Sequence, residues 1–287
     1  MKKIVFGCCL LALMASCKGG KKNIDPFESL TKEIDSLQMK PDQALHADTA
    51  FAVEESVPVA ADESFADFFY NFASDEAFQR SRIIFPISYY KGKEVMRLSK
   101  EAWKYDAMFS RQTAYTVLFD NEEEMEMEKD TSLHSVQIDW IYLNRNKIKR
   151  YYFERENDRW YLEAMNLEQV VRDDSEGENF LTFYERFASD SVFQQERLNK
   201  PLVFVTADPE DEFQILETTL DEGQWFAFRP PMMKDQLTNV RYGQKETLNS
   251  KTKVVEFKGF GNGFSNVLYF ERRKGIWKLM KFEDLSD

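Results

Sequence analysis

Phenylalanines fall at positions 65, 68, 69 and 72, and rings return further along at Phe180, Phe183, Tyr184 and Phe187. That spacing of i, i+3, i+4 and i+7 sets four rings on one helical face, the face a core has to cover. Ser74-Asp75 and Ser189-Asp190 then interrupt each run with side chains that accept hydrogen bonds from free helix-terminal amides. A second short helix carrying Phe78 or Phe193 is predicted to start there. Pro86 and Pro201 are expected to close it, and the apolar runs Ile87 to Tyr90 and Leu202 to Val205 read as first strands. Further on the period changes to two. Val136, Ile138, Trp140 and Tyr142 alternate with Gln137, Asp139, Ile141 and Leu143, and the pairs Trp160/Leu162 and Trp277/Leu279 lie two apart on one strand face. Asn144-Arg145-Asn146, Asn157-Asp158, Gly261-Asn262-Gly263 and Lys274-Gly275 supply residues that tolerate positive φ, as tight hairpins require. Helices followed by an antiparallel sheet make an α+β plan.

The plan occurs twice. Phe65 to Pro86 and Phe180 to Pro201 align without a gap and share ten of 22 residues: FASD, the spaced phenylalanines, Gln79/Gln194, Arg82/Arg197 and the prolines. YYFERENDRWYL from Tyr151 echoes LYFERRKGIWKL from Leu268. Two echoes in the same order mean a tandem duplication. The expected units are residues 62–172 and 173–287, each closing its own aromatic interior behind a helix pair, the two side by side as an intrachain pseudo-dimer.

The start of the chain changes the picture of where this fold resides. Residues 1–16 pair two lysines with an apolar run and small residues, the pattern of a secretory signal. Met14-Ala15-Ser16-Cys17 resembles a bacterial lipobox, with Met where leucine is preferred, which implies cleavage before Cys17 and a lipid on its sulfur. Acyl chains at roughly 0.8 kcal/mol per methylene would anchor the protein to a membrane without a spanning helix. Residues 17–61 read as tether and linker, with a short amphipathic stripe at Phe27, Leu30, Ile34 and Leu37 and a polar, acidic stretch from Pro41 to Ala61. Lys18, in place of an aspartate after the cysteine, resembles outer-membrane sorting. The expected location is the periplasmic face of a Gram-negative outer membrane.

Composition then removes whole classes of chemistry. Cys8, Cys9 and Cys17 are the only cysteines, so the folded part has no disulfide, thiolate metal site or cysteine nucleophile. The formal net charge is −12, and loss of Lys2 and Lys3 makes it more negative. Nucleic acid is therefore excluded as a partner, because its binding rests on neutralising phosphates. The two histidines, His46 in the linker and His134 before a strand, lack the company a metal site or a Ser-His-Asp arrangement needs. The acidic run Asp120 to Asp130 lacks the alternation and central glycine of a calcium loop and reads as a solvated hairpin end. Gly259 to Phe264 lies between strands rather than opening a helix, so it reads as a hairpin and not a phosphate loop. No metal and no cofactor are expected.

At this point the chain resembles a known family. Helix, helix and strand followed by an antiparallel sheet are similar to the nuclear-transport-factor-2-like, or cystatin-like, cone. The doubled FASD-x-x-FQ and YFER…W signatures resemble family 4348 of the domains of unknown function, found in bacterial envelope lipoproteins. The resemblance covers Asp62 to Asp287 and implies two cone-shaped halves; the family supplies no catalytic residues to carry over, and the fold does not select a function.

Asp139 aligns with Glu256, each beside an aromatic residue, Trp140 or Phe257. In a cone pocket such a carboxylate can act as general base when desolvation raises its pKa; a strand carboxylate facing water or paired with a neighbouring arginine is the plainer reading. Trp103 and Trp225, in the less similar middle sections, are candidates for core or, with Trp140 and Phe257, for pocket lining. Glu154-Arg155 and Glu271-Arg272 read as cross-strand ion pairs. The sequence thus points to a non-catalytic envelope lipoprotein that binds a small hydrophobic ligand or an envelope protein. The alternatives are an acid-base enzyme of isomerase or dehydratase type acting on a small hydrophobic substrate, and a structural adaptor.

Overall fold

In the computed structural model of the chain, residues 62–208, 210–244 and 250–286 are described; the expected signal sequence, the expected lipidation at Cys17 and the expected tether fall outside them. The first ring-bearing stretch forms helix α1 (Phe65–Ser74), started by Ser64, whose hydroxyl accepts from the Asp67 amide. Asp75 ends it and caps α2 (Glu76–Ser81) by accepting from the Phe78 amide at 2.9 Å. The second copy repeats this with α3 (Phe180–Ser189) and α4 (Ser191–Arg197), Asp190 accepting from the amides of Val192 and Phe193. A short α5 (Glu222–Phe228) follows in the second half.

Among the described residues, twelve strands make two six-stranded sheets. The first is ordered β2 (Glu94–Leu98), β1 (Ile83–Lys91), β6 (Arg159–Gln169), β5 (Lys147–Glu156), β4 (Ser135–Tyr142) and β9 (Gln236–Arg241); the second is β3 (Ala114–Phe119), β10 (Thr252–Gly259), β11 (Ser265–Arg273), β12 (Ile276–Asp284), β7 (Leu198–Asp208) and β8 (Asp211–Leu220). The expected hairpin turns form, with Asn157, Asp158, Lys274 and Gly275 all at positive φ. Three expectations change. Each sheet is mixed rather than wholly antiparallel, since β1 runs parallel to β6 and β7 to β12; the intervening meander is long enough for such a crossover. The strands also begin before the prolines, which sit within β1 and β7 where the register to the parallel neighbour shifts, a place where a ladder tolerates a missing N–H. Arg155 and Arg272, expected in cross-strand ion pairs, lie over the rings of Trp160 and Trp277 at 5.9 and 5.5 Å, because each arginine faces the tryptophan across a tight hairpin.

The ring clusters of the two halves agree closely. Phe65 meets Trp160 edge-on at 5.0 Å and Phe180 meets Trp277 at 5.1 Å; Phe72 packs on Phe153 at 5.2 Å and Phe187 on Phe270 at 5.4 Å. The repeated glutamine and arginine also gain a reason. Gln79 donates to Phe72 O and accepts from Trp103 Nε1, and Gln194 donates to Phe187 O and accepts from Trp225 Nε1. Arg82 pairs with Asp62 and donates to Trp160 O, as Arg197 pairs with Glu178 and donates to Trp277 O. Buried polar groups are thereby satisfied at matching places.

The halves nevertheless do not close independently. β3, from the first half, edges the second sheet, and β9, from the second half, edges the first. Where the two exchanged strands meet, Thr116 N donates to Thr238 Oγ1 (2.7 Å), Thr238 N to Thr116 Oγ1 (2.8 Å), and each hydroxyl donates to the other's carbonyl. A local twofold passes between these two threonines. The far face of the first sheet accordingly feeds the second core, which includes Ile141, Leu143 and Ile148 alongside Phe180, Phe183 and Trp277. The expectation of two self-contained interiors is corrected to two interiors joined by exchanged strands.

Candidate functional site

Asp139 and Glu256 occupy matching places on β4 and β10 but not matching surroundings. Asp139 is fully buried and accepts from Arg241 Nε and Gln137 Nε2, both at 2.7 Å, with Arg150 Nε at 3.4 Å. The strand register pairs Asp139 with Arg150 and Asn239, whereas the same positions around Glu256 are Val267 and Val117; Phe119 stands where the first sheet has Arg241. Deprived of arginines, the buried Glu256 is pushed up to about 7 by desolvation, with Lys258 at 3.9 Å pulling the other way and Glu128 adding to the rise. Asp139 is thus held as a structural ion-pair centre. Glu256 has a base's pKa but lies against the tyrosines of a packed interior: Tyr115 and Tyr242 beside it are raised above their ordinary values by burial.

The four aromatic candidates for pocket lining are placed otherwise. Trp103, Trp225 and Phe257 are at most 2% exposed within the cores, and Trp140 packs edge-on against Phe109 at 5.2 Å. Their size made them candidates, but the indoles of Trp103 and Trp225 serve to satisfy Gln79 and Gln194. A buried Lys149 close to Asp106 (4.0 Å), with Tyr151 OH donating to the same carboxylate at 2.6 Å, was not anticipated. A lysine in the alternation of β5 was the available signal. The acidic run is solvated as expected, with no buried residue, but it is not a hairpin end: Glu122–Lys129 forms a 3-10 segment between strands of different sheets, Glu128 and Glu122 pairing with Lys258 and Lys281.

The arrangement best suited to a ligand lies at the mouth of the second interior. There a cleft of about 490 Å³ is lined by the apolar Leu118, Ile141, Ile148, Val170, Phe180, Leu181 and Trp277 and, interspersed with them, by the polar Arg150, Arg241, Lys253, Arg272, Asp120, Glu124 and Asn239. The connection between the halves forms the rim through Asp173, Ser175 and Glu176. Gly177, at φ +120, lets that connection approach the β11–β12 turn so closely that a Cβ would sit 3.1 Å from Gly275 Cα. Asp173 is held below the usual carboxylate range by the amide and hydroxyl of Ser175. Volume and lining fall in the range of small-molecule sites.

The twofold relates this cleft to the mouth of the first interior, which is nearly filled. The space there is about 70 Å³, bounded by Phe65, Phe69, Tyr70, Tyr115, Val240, Tyr242 and Phe260. By register, Tyr242 stands where the cleft has Asp120, Val240 where it has Leu118, and Val267 where it has Arg150. Tyr70, itself half-exposed, stacks on Phe260 at 5.1 Å and comes within 2.9 Å of where a Cβ on Gly261 would be. A wider, shallower groove of about 680 Å³ runs along Leu198–Pro201 and Thr219–Gln224; its polar groups are turned to one another, as in the Lys200–Glu222 pair.

Comparison with known proteins agrees with this architecture. A family model described as a domain of unknown function, DUF4348, matches residues 45–284. The crystal structure of an NTF2-like protein from Bacteroides fragilis NCTC 9343, at 2.15 Å resolution, is 51% identical, aligns over 81% of this chain and 100% of its own, and superposes with a TM-score of 0.77. No curated protein matches the chain.

Proposed function

The chain belongs to the DUF4348 family, and on that footing we propose that it is a non-catalytic lipoprotein of the cell envelope, anchored through Cys17, that binds a small molecule in the cleft of its second half. One observation carries the binding reading: of two mouths descended from one, the first is plugged by rings and the second keeps a polar-lined space of about 490 Å³. Drift in a module that serves only as scaffold has no reason to line one mouth with Arg150 and Arg241 while filling the other with Tyr242 and Phe260. The general-base alternative loses its support with Asp139 locked between arginines and Glu256 packed away from the cleft.

Thermal-shift screening of envelope metabolites tests the binding reading. A ligand that raises the midpoint of the wild-type protein but not of Leu181→Trp, which fills the cleft from the first turn of α3, is the expected result. Ligands that act equally on both proteins, or none at all, would count against it. For the anchor, Cys17→Ser is expected to move the protein from the membrane to the soluble fraction; unchanged membrane association would refute lipidation at that residue.

A further inference from the structure

We infer that strand β8 is an acceptor edge, to which another protein adds an extended segment as a further strand, one that alternates β-branched or apolar residues with lysine or arginine. Each sheet has an inner and an outer edge. The inner edges, β3 and β9, meet at Thr116 and Thr238 and close on each other. The outer edges, β2 and β8, hold the same place in the two copies and have diverged. β2 is five residues long, carries Glu94 and Arg97, and leads into a segment that Arg80 ties down by donating to Lys100 O at 2.7 Å. Shortness and charge are the ordinary protection of an edge. β8 runs for ten residues, and Ile215 and Leu216, on its opposite faces, are 67% and 42% exposed. Among the described residues, only β7 bonds to the backbone from Ile215 to Thr219. Every second residue there turns its amide and carbonyl to solvent, and an open ladder with apolar flanks is a template for another strand.

Charge selects the occupant. Between Lys200 and Arg229 the sequence holds no lysine or arginine. Glu222 is offset by Lys200, but among the described residues no base pairs with Asp208 at the end of β7, with the exposed Glu217 on β8 or with Asp221 just beyond it. Asp208 and Asp221 accept only from backbone amides, those of Glu210 and Gln224. A strand laid along this edge meets carboxylates without counter-charges, so basic side chains on it gain what neutral or acidic ones do not. A second copy offering its own β8 would bring the same carboxylates to the seam. At Thr219 and Leu220 the edge runs into the groove of about 680 Å³ lined also by Leu198 and Pro201, which gives the end of an added segment apolar surface to cover. In such strand addition the main-chain bonds supply affinity and the alternate side chains supply selectivity.

The test uses a labelled, terminally blocked peptide, Lys-Val-Thr-Val-Lys-Val-Thr-Val-Lys, and two controls: the same peptide with glutamate for each lysine, and the same peptide with every amide nitrogen methylated. Binding is read by fluorescence anisotropy against the full folded protein and against Ile215→Lys, Glu217→Lys and Leu181→Trp, each checked for an unchanged unfolding midpoint, and hydrogen exchange locates the site. The lysine peptide is expected to bind the wild-type protein and to slow amide exchange in β8. It should bind at least about tenfold more weakly to Ile215→Lys and to Glu217→Lys and unchanged to Leu181→Trp, whose substitution lies in the cleft; both control peptides should bind at least about tenfold more weakly than the lysine peptide. Equal binding of the methylated peptide would mean attraction of charge without strand pairing and would overturn the inference. No binding, protection outside β8, or loss of binding in Leu181→Trp would overturn it too. Equal binding of the glutamate peptide would overturn the choice of a basic partner, and a concentration-dependent dimer that Ile215→Lys turns to monomer in sedimentation would assign the edge to a second copy instead. The cleft reading stands or falls separately, by the metabolite screen.

Discussion

Replacing Glu256 by glutamine should stabilise the protein above neutral pH and do little below pH 5. The carboxyl is buried among Val117, Val267 and Tyr115, and its Oε2 takes no hydrogen bond among the described residues. Burial lifts it from 4.5 to about 7, so the folded protein keeps the proton over a range in which the unfolded chain has released it. The sign follows. The contribution is fully present below about pH 4.5, is lost progressively as pH rises to about 7, and stays lost beyond, because the folded state must then hold an ionised buried carboxylate. At about 1.4 kcal/mol for each pH unit between the two values, the whole loss comes to about 3 kcal/mol. Glutamine keeps the shape and never ionises. Urea unfolding of both proteins at half-unit intervals from pH 4.5 to 8.5 isolates the effect, since titrating groups not coupled to Glu256 cancel in the difference. The stability of Glu256→Gln relative to wild type should climb by about 2–3 kcal/mol between pH 5 and 8 and then level off. A flat difference, or one that falls with pH, would refute the desolvation account and with it the claim that the exchanged strand surrounds Glu256 with carbon.

Other expectations can be checked with the same unfolding assay. Thr116→Val and Thr238→Val should each cost about 1–3 kcal/mol by stranding the other's backbone groups, and the double variant should cost clearly less than the sum; additivity would mean the reciprocal bonds carry no coupling. Asp62→Ala leaves Arg82 buried without its carboxylate and should cost about 3–5 kcal/mol, whereas Glu178→Ala, whose pair with Arg197 is partly open to solvent, should cost less; the reverse order would refute the burial argument. Asp75→Ala and Asp190→Ala each remove a helix cap and should cost about 1 kcal/mol, adding without coupling because they lie in different halves.

Local structure was legible in the sequence wherever the signal is local. Ring spacing gave α1 and α3, Ser-Asp gave the breaks, and Asn157-Asp158 and Lys274-Gly275 gave the turns, since each depends on neighbours in the chain. Partner choice between strands was not. β3 and β9 lie in the sections where the copies differ most, and the register that keeps Phe65 aligned with Phe180 does not align Thr116 with Thr238. Trp103 and Trp225, noted as tryptophans of the less similar middle sections, were the marker of the shifted register. The cleft was hidden for a related reason: its contrast with the plugged mouth lies in pairs such as Asp120 and Tyr242 or Arg150 and Val267, which look like ordinary divergence until the sheets bring them to equivalent places. The equivalence of Asp139 and Glu256 was visible, but the pKa contrast rests on cross-strand neighbours that no one-dimensional spacing reveals.

The exchange of β3 and β9 also fixes an order of events. A chain made from its amino end has β4 available long before Gln236 emerges, so the first sheet must wait with one bare edge until roughly a hundred further residues have been made. A nascent or truncated chain ending before that residue exposes an open ladder, the kind of surface that recruits foreign strands, and contacts so distant in sequence close slowly. Completion of the first sheet is therefore tied to synthesis through Arg241, and a break that removes β9 is felt in the first half.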